Sequence, residues 1–299
     1  MEEYSIPEAT KIGWVRLRVS DLQNATGFYG RVVGLHASPV IGAAKKAAAF
    51  LSASGEPPFI LYLEETPGAP RRPPRTSGLY HTAIRFPSRA GLGSVLQRIV
   101  LLEYPLGGVA DHGVSEALYL SDPDGNGIEL YADRPQDRWT VDQGRVSMMT
   151  ENLDLNSLVQ EAVPSSDREY APPGTDIGHI HLQVADLERS KRFYHGLLGL
   201  DITQDTYPGA LFLSAGGYHH HVGLNIWAGR GAPPPPENAL GLEAFALQLP
   251  DEASLQDLEK RVEEAGYPVT LHELPGVGKV VSLHDPDGIG VSLKTGAKP

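Results

Sequence analysis

Residues 12–35, IGWVRLRVSDLQNATGFYGRVVGL, decide the fold because the same pattern returns at residues 177–200 as IGHIHLQVADLERSKRFYHGLLGL. Each stretch begins with alternating apolar and polar residues, which is typical of a β-strand with one buried face. A segment with helical spacing follows, opened by Asp21 in the first copy and by Asp186 in the second, and Asp is a preferred N-cap residue. The chain is therefore predicted to contain a repeated strand–helix unit.

A second repeated pair extends this pattern. Residues 78–87, GLYHTAIRFP, correspond to residues 241–250, GLEAFALQLP, and the turn DPDG follows both of them, at 122–125 and 285–288. Short apolar runs cut by Gly and Pro come after each helical segment and predict further strands. We therefore interpret the chain as four β-α-β-β-β units, which lie at residues 12–65, 78–132, 177–228 and 241–295.

Composition agrees with a globular protein and excludes several function classes. A chain of 299 residues is long enough for two domains with good cores. Because there are no cysteines, any bound metal must be held by nitrogen and oxygen atoms. The net charge of −12 argues against a nucleic-acid or anionic-membrane partner. The sequence has neither a bilayer-length apolar run nor a signal-peptide pattern, so we expect a cytoplasmic location.

The middle of the chain is predicted to be a linker. It is polar and rich in Pro, Asp, Glu and Ser, apart from a helix-like piece, LNSLVQEAV, at residues 155–163. The predicted organisation is an N-terminal half at 1–135 with units one and two, a linker at 136–175, and a C-terminal half at 176–299 with units three and four.

The repeat allows equivalent positions of the four units to be compared. On the first strands this position carries Trp14, His81, His179 and Ala244, and on the last strands it carries Ile60, Glu129, Gly223 and Ser292. Residues able to bind a metal thus occur only in units two and three. Two histidines and one carboxylate on three sides of an ion are the facial set that holds non-haem Fe(II). We therefore predict His81, Glu129 and His179 as ligands of Fe(II), with Mn(II) as the alternative ion.

Residues 112–129, HGVSEALYLSDPDGNGIE, resemble the signature of the extradiol ring-cleaving dioxygenases. That signature runs from a histidine through an apolar–Tyr pair and a D-P-x-G turn to an iron-binding glutamate. The four units together are similar to the vicinal oxygen chelate superfamily. This resemblance implies an α+β fold in which two units form an incomplete barrel around one metal, giving two such domains. Only a pairing of unit two with unit three, and of unit one with unit four, would bring His179 to His81 and Glu129.

The resemblance implies roles for further residues. His112 and Tyr119 correspond to the histidine and tyrosine of the signature, which hydrogen-bond the substrate. The histidine run at 219–221 ends the loop before the last strand of unit three, where extradiol enzymes have an acid–base histidine. His221 shares a strand face with Gly223, so we expect this member of the run to point at the metal.

The function implied by the resemblance is the opening of catechol or a substituted catechol with O2, giving a 2-hydroxymuconate semialdehyde-type product in aromatic compound degradation. The partners would be a small aromatic diol and O2. A homo-oligomer is possible, and the sequence leaves the oligomeric state open. Two alternatives stay open. A metal-dependent lyase or isomerase would add a fourth ligand, such as His221, and would work without oxygen. A small-molecule-binding resistance protein would need a pocket but no tightly held metal.

Overall fold

The computed structural model describes residues 4–41, 46–142, 144–162, 170–274 and 278–296. Within these ranges each predicted unit forms a strand, a helix and three further strands, and we call the four units modules 1 to 4. Module 1 contains β1 (Lys11–Val19), α1 (Leu22–Phe28), β2 (His36–Ile41), β3 (Ala47–Ser52) and β4 (Leu61–Glu65). Module 2 contains β5 (Gly78–Phe86), α2 (Arg89–Leu101), β6 (Gly108–Asp111), β7 (Ser115–Ser121) and β8 (Gly127–Asp133).

The second half of the chain repeats this order after a connecting segment. The segment holds β9 (Val141–Asp142), β10 (Arg145–Val146) and α3 (Leu155–Gln160). Module 3 contains β11 (Asp176–Gln183), α4 (Leu187–Lys191), β12 (Asp201–Gln204), β13 (Ala210–Ser214) and β14 (Val222–Asn225). Module 4 contains β15 (Gly241–Leu249), α5 (Glu252–Glu264), β16 (Thr270–Leu274), β17 (Gly278–His284) and β18 (Gly290–Thr295). The helix-like piece of the linker is confirmed by α3, whereas residues 143 and 163–169 of the linker lie outside the described ranges.

The helix of each module begins at a side-chain cap. Asp21 accepts a hydrogen bond from the N–H of Asn24 at 2.7 Å, and Asp186 accepts one from Arg189 at the same distance. Such caps satisfy an N–H group that the first helical turn leaves without a partner. In modules 1 and 3 the helix continues into a π-helical turn, which the sequence did not predict. The turn in module 1 ends at Gly34, whose φ of 92° favours glycine.

Two eight-stranded sheets form within the described residues. One has the strand order β16-β17-β18-β15-β1-β4-β3-β2, and the other has the order β12-β13-β14-β11-β5-β8-β7-β6. The first sheet therefore contains the strands of modules 4 and 1, and the second contains those of modules 3 and 2. This order confirms the predicted pairing of modules and the α+β fold with two incomplete barrels. No helix in the described part of the chain is long and apolar enough to cross a membrane.

Packing contacts divide the chain into two compact units, the first built from two segments and the second from three. The first unit comprises Arg18–Gly68 and His81–Ile177, and the second comprises Met1–Leu17, Ala69–Tyr80 and Gly178–Pro299. Each boundary in this division except the one at residues 68 and 69 falls within a strand, namely β1, β5 or β11. The predicted division of the chain at residues 136–175 stays a prediction.

Each of these two compact units is stabilised internally by a contact between a helix and a turn, and the two contacts are equivalent. In the first unit, Tyr29 donates a hydrogen bond from its hydroxyl to Asp122 over 3.3 Å. In the second unit, Tyr194 donates to Asp285 over 2.9 Å. Both tyrosines are almost completely buried, and burying a large side chain contributes about 1.5–3 kcal/mol. The DPDG turns of modules 2 and 4 therefore hold the helices of modules 1 and 3.

Candidate metal centre

His81 and Glu129 lie side by side in the first unit. They are on the adjacent parallel strands β5 and β8, in which Ala83 is the register partner of Glu129. His81 is two residues before Ala83 and so shares its face of the strand. His81 Nε2 is 3.0 Å from Glu129 Oε2, and the two residues are only 6% and 2% exposed. An imidazole and a carboxylate are thus both held in an interior position, where charge needs a partner.

The turn between β7 and β8 fixes the position of Glu129. The carboxylate of Asp122 accepts hydrogen bonds from the backbone N–H groups of Asp124 at 2.9 Å and Asn126 at 2.8 Å. Asp122 is buried, and this burial raises the pKa of its carboxyl above the usual value. The turn sets a register in which Tyr119 on β7 is directly opposite Glu129 on β8.

His112 and Tyr119 form a hydrogen-bonded pair next to these residues. The distance from His112 Nε2 to the Tyr119 hydroxyl is 2.6 Å, and His112 Nδ1 is 2.7 Å from the carbonyl oxygen of Met149. A carbonyl oxygen only accepts, so Nδ1 carries the proton, and in the neutral ring Nε2 accepts from the Tyr119 hydroxyl. The ring centroids of Tyr119 and His81 are 5.6 Å apart. The signature histidine and tyrosine are therefore brought together, close to His81.

A network of charged residues that the sequence reading missed supports this pair. Arg134 binds Asp111 at 2.6 Å and the buried Glu116 at 3.0 Å. Burial alone would raise the pKa of Asp111, but hydrogen bonds from Arg134 and from the N–H of Gly113 hold it below its usual value. Arg89 binds Glu116 from the start of α2. The strands that flank His112 are thus tied to each other and to a helix.

His179 lies on β11 in the second unit, beside two histidines of the predicted run. The centroids of the His179 and His220 rings are 4.0 Å apart, and those of His179 and His219 are 5.8 Å apart. The Nδ1 atoms of His219 and His220 are 2.8 Å from each other. One nitrogen from each of the three residues lies within 4.8 Å of the others, and all three side chains are buried.

His221 has a different environment from the one expected. Its Nδ1 accepts a hydrogen bond from the backbone N–H of Ala215 at 3.1 Å, and its ring lies 4.9 Å from that of Tyr218. His221 belongs to neither group of possible metal-binding residues found among the described residues. The period-two argument did not account for this bond within the loop. The role predicted for His221 stays a prediction, and the ring of His220 lies closer to that of His179 than the ring of His219 does.

Gly223 provides space for a neighbouring ring. It is the register partner of His181 on β11, and a Cβ atom at position 223 would lie 3.0 Å from two ring carbons of His181. Such a contact is tighter than nine in ten real Cβ contacts, so the His181 ring would have to give by a few tenths of an ångström. The fourth position of the repeat comparison therefore lacks a side chain and faces an imidazole.

The three predicted ligands are divided between the two units, with His81 and Glu129 in the first and His179 in the second. All three residues are buried. The donor set is two imidazoles and one carboxylate, which fits a divalent transition metal of the Fe(II) or Mn(II) type.

Comparison with known proteins identifies the family. Residues 11–130 and 176–293 match the Glyoxalase/Bleomycin resistance protein/Dioxygenase superfamily. The chain belongs to this superfamily. It is 47% identical over 271 residues to catechol-2,3-dioxygenase of Bacillus subtilis (strain 168), covering 89% of this chain and 92% of that relative. It is also 33% identical over 123 residues to biphenyl-2,3-diol 1,2-dioxygenase 3 of Rhodococcus globerulus, covering 39% of this chain and 60% of that relative.

Solved structures support the superfamily fold. A structure from Bacillus subtilis subsp. subtilis str. 168 aligns with a TM-score of 0.71 at 14% identity, covering 99% of this chain and 87% of that chain. Glyoxalase I from Zea mays aligns with a TM-score of 0.59 at 19% identity, covering 95% and 92%. Both likenesses concern the fold of the superfamily, which this chain shares along almost its whole length.

Proposed function

We propose that the protein is an extradiol dioxygenase that opens the ring of catechol, or of a substituted catechol, next to the diol. The observation that carries the proposal is the buried pair of His81 and Glu129, whose side chains are 3.0 Å apart, in a chain 47% identical to a catechol-2,3-dioxygenase. The product would be a semialdehyde of the 2-hydroxymuconate type. The ring substituents of the natural substrate would depend on side chains around this group.

In this proposal His81, Glu129 and His179 bind Fe(II), with Mn(II) as the alternative. When bound there, the ion supplies coordination positions for the two diol oxygens and for O2, and electron transfer between them. Three protein ligands favour this chemistry over a lyase mechanism, because a fourth protein ligand would occupy a position that the substrate or O2 needs. Gly223, at the fourth position of the repeat, supplies no ligand atom from a side chain.

The His112 and Tyr119 pair is proposed to orient the substrate. Tyr119 lies opposite Glu129, and its hydroxyl is hydrogen-bonded to His112, whose other ring nitrogen is held by a backbone carbonyl. The two hydrogen bonds therefore run in one direction, donated from the phenol to the imidazole and from the imidazole to the carbonyl. A phenol held in this way provides a fixed oxygen and, after rotation of its O–H, a donor for a substrate oxygen.

Proton transfer is proposed to involve the histidine run, with His220 as the acid–base residue. Opening the aromatic ring of a catechol requires a proton to leave one of its hydroxyl groups and to be returned later in the reaction. The ring centroids of His220 and His179 are 4.0 Å apart, and His220 Nδ1 is hydrogen-bonded within the histidine run, to His219 Nδ1. His221 Nδ1 is instead turned to the backbone N–H of Ala215. His220 is thus better placed than His221 for a substrate that reaches His179.

The direct test is to load the metal-free protein with Fe(II) under anaerobic conditions, add catechol and then admit air. Oxygen uptake and formation of the yellow ring-opened product are followed together, for the original protein and for the variant Glu129→Ala. The matched control is Ser292→Ala, at the position that the repeat makes equivalent to Glu129. We expect equal amounts of oxygen loss and yellow product, both abolished by Glu129→Ala and preserved in Ser292→Ala.

Other outcomes would redirect the assignment. If no catechol caused oxygen uptake with either iron or manganese, the dioxygenase proposal would be wrong. Turnover of a carbonyl substrate in the absence of oxygen would instead support the lyase alternative. Comparison of His220→Gln with His221→Gln tests the acid–base assignment, since the larger loss of turnover should follow the change at His220.

A further inference from the structure

The buried cluster of His179, His219 and His220 has a composition that differs from the proposed iron site. It contains three imidazoles and no carboxylate, with one nitrogen of each ring within 4.8 Å of the others. We propose that this cluster is a second metal site, which takes Zn²⁺ or a similar borderline cation and competes with the first site for His179. The competition rests on the proposed function, whereas the existence of the second site does not.

The chemistry of the donors separates the two sites. Imidazole nitrogen suits Zn²⁺, Cu²⁺, Ni²⁺ and iron, and the first three stand above Mn²⁺ and Fe²⁺ in the general order of affinity. Three histidines with an open fourth position are an established zinc ligand set. Mn²⁺ prefers carboxylate and water oxygens, which the three-histidine cluster lacks. The cluster should therefore bind Zn²⁺ well and Mn²⁺ poorly.

The loop that carries His219 and His220 is held in place by the buried residues around it. The hydroxyl of Thr203 donates to the carbonyl oxygen of His219 at 2.7 Å, and the hydroxyl of Ser214 donates to that of Tyr218 at 2.6 Å. The rings are also packed, with Phe212 lying 4.9 Å from His220. These contacts hold the two imidazoles close to each other and to His179 before any ion binds, which reduces the ordering cost of binding.

Sharing of His179 makes the two sites mutually exclusive. An ion bound by His179, His219 and His220 occupies the ligand that the iron site needs, and it also occupies the proposed acid–base residue His220. Zn²⁺ is therefore expected to inhibit the enzyme by occupying a different set of ligands, and not only by replacing iron in the same set. One chain should bind one ion of either kind.

The test measures binding of Zn²⁺ and Mn²⁺ separately to the metal-free full-length chain. Zn²⁺ affinity is measured by competition with a coloured chelator, and Mn²⁺ affinity from the electron paramagnetic resonance signal of the free ion. The variants are Glu129→Gln for the first site, His219→Gln for the second, and His221→Gln as the control within the same histidine run. Thermal unfolding of each variant establishes that it is folded.

We expect opposite responses of the two metals. His219→Gln should lower Zn²⁺ affinity by at least ~10-fold and leave Mn²⁺ affinity unchanged, because loss of groups that support a metal typically costs at least this factor. Glu129→Gln should lower Mn²⁺ affinity and leave Zn²⁺ affinity unchanged, and His221→Gln should alter neither. His220→Gln should show the same loss of Zn²⁺ affinity. Agreement of the two variants would exclude a local structural change around residue 219 as the cause.

Two results would overturn the second site. One is a loss of Zn²⁺ affinity in Glu129→Gln as large as that in His219→Gln, which would mean that both metals use the first site. The other is unchanged Zn²⁺ affinity in both His219→Gln and His220→Gln. A failure confined to Mn²⁺ binding would count against the proposed iron site and would leave the zinc site standing.

Discussion

The sheet of modules 2 and 3 and the sheet of modules 1 and 4 have the same strand order by module but different chemistry on equivalent strands. Where the sheet of modules 2 and 3 carries His81, Glu129 and His179, the sheet of modules 1 and 4 carries Ala244, Ser292 and Trp14. Trp14 is buried and packs with Ala246 and Val280 in an apolar cluster. One framework thus exists in a form that carries the proposed ligands and in a form that carries Ala, Ser and Trp in their place.

This comparison shows that the fold and the proposed metal site depend on different residues. Both halves of the chain keep the capping Asp residues, the DPDG turns and the tyrosine–aspartate contacts. These residues satisfy backbone groups and fix the helices, so they are needed whether or not a metal is bound. The proposed ligands are not needed for the fold, because Ala, Ser and Trp occupy their equivalent positions. Paired substitutions at equivalent positions can therefore separate function from folding.

The largest difference should appear between His179→Ala and Trp14→Phe, which alter equivalent first-strand positions. We expect His179→Ala to lower turnover of Fe(II)-loaded protein with catechol by at least ~100-fold, since a ligand matters more than the supporting partners whose loss costs 10–100-fold. Trp14→Phe should keep turnover and lose about 1–3 kcal/mol of unfolding free energy through a poorer fit in the core. Steady-state rates and urea unfolding measure both. Equal losses of turnover would remove the contrast between the sheets.

The next largest effect should be a pH dependence of stability from Asp285. Burial raises the pKa of Asp285 to about 7, whereas an Asp in an unfolded chain has a pKa of about 3.9. The folded state therefore holds more protons between these two pH values, and stability falls as the pH rises from about 4 to about 7, by up to ~1.4 kcal/mol per pH unit. Asp285→Asn should flatten this slope in urea unfolding at pH 5 and pH 8.

The equivalent residue of the other half provides the control for this prediction. Burial also raises the pKa of Asp122, against hydrogen bonds from Asn126 that lower it. We expect Asp122→Asn to change the slope in the same direction but less. If the unfolding free energy of Asp285→Asn fell more steeply with rising pH than that of the original protein, the raised pKa of Asp285 would not be the cause of the slope.

A smaller effect is expected at Gly223. In Gly223→Ala the new Cβ would meet the His181 ring at 3.0 Å, so the ring must move. Overpacking of this kind costs about 1–3 kcal/mol, and unfolding in urea measures the loss. The double variant Gly223→Ala with His181→Ala should recover part of the stability lost in Gly223→Ala. If the two losses simply added, the contact between these residues would not be the cause.

The smallest contrast should lie between the two tyrosine–aspartate contacts. Tyr194→Phe removes a hydrogen bond of 2.9 Å and Tyr29→Phe removes one of 3.3 Å, both to buried aspartates. We expect losses of unfolding free energy of about 1–2 kcal/mol for Tyr194→Phe and about 0.5–1 kcal/mol for Tyr29→Phe, because the shorter bond is stronger. Denaturant midpoints at pH 8 give the order, and the reverse order would make the distances a poor guide here.

Much of the fold could be predicted because its signals are local and repeated. The four module boundaries follow from strand alternation and from the helix caps at Asp21 and Asp186, which act within a few residues. The pairing of modules followed from a chemical argument, namely that His179 has to join His81 and Glu129. The π-helical turns at Tyr29–Val33 and Arg192–Leu197 were missed because no short-range pattern of residues marks them.

The details of the site were harder to predict because they depend on contacts between distant segments. Strand alternation favoured His221, but the loop turns so that the N–H of Ala215 binds its Nδ1. The contacts of Arg134 with Asp111 and Glu116 join residues 18 to 23 positions apart along the chain. Their charges are visible in the sequence, but nothing in the spacing specifies which of them meet.

The position of Gly223 beside the His181 ring also bears on how members of this superfamily can change their reaction. Any side chain at residue 223 places its first carbon 3.0 Å from the His181 ring, which would have to give by a few tenths of an ångström. A change from the three proposed ligands to four would therefore start with an adjustment of His181, so the tolerance of this ring sets how easily this chain could gain the fourth ligand of the lyase alternative.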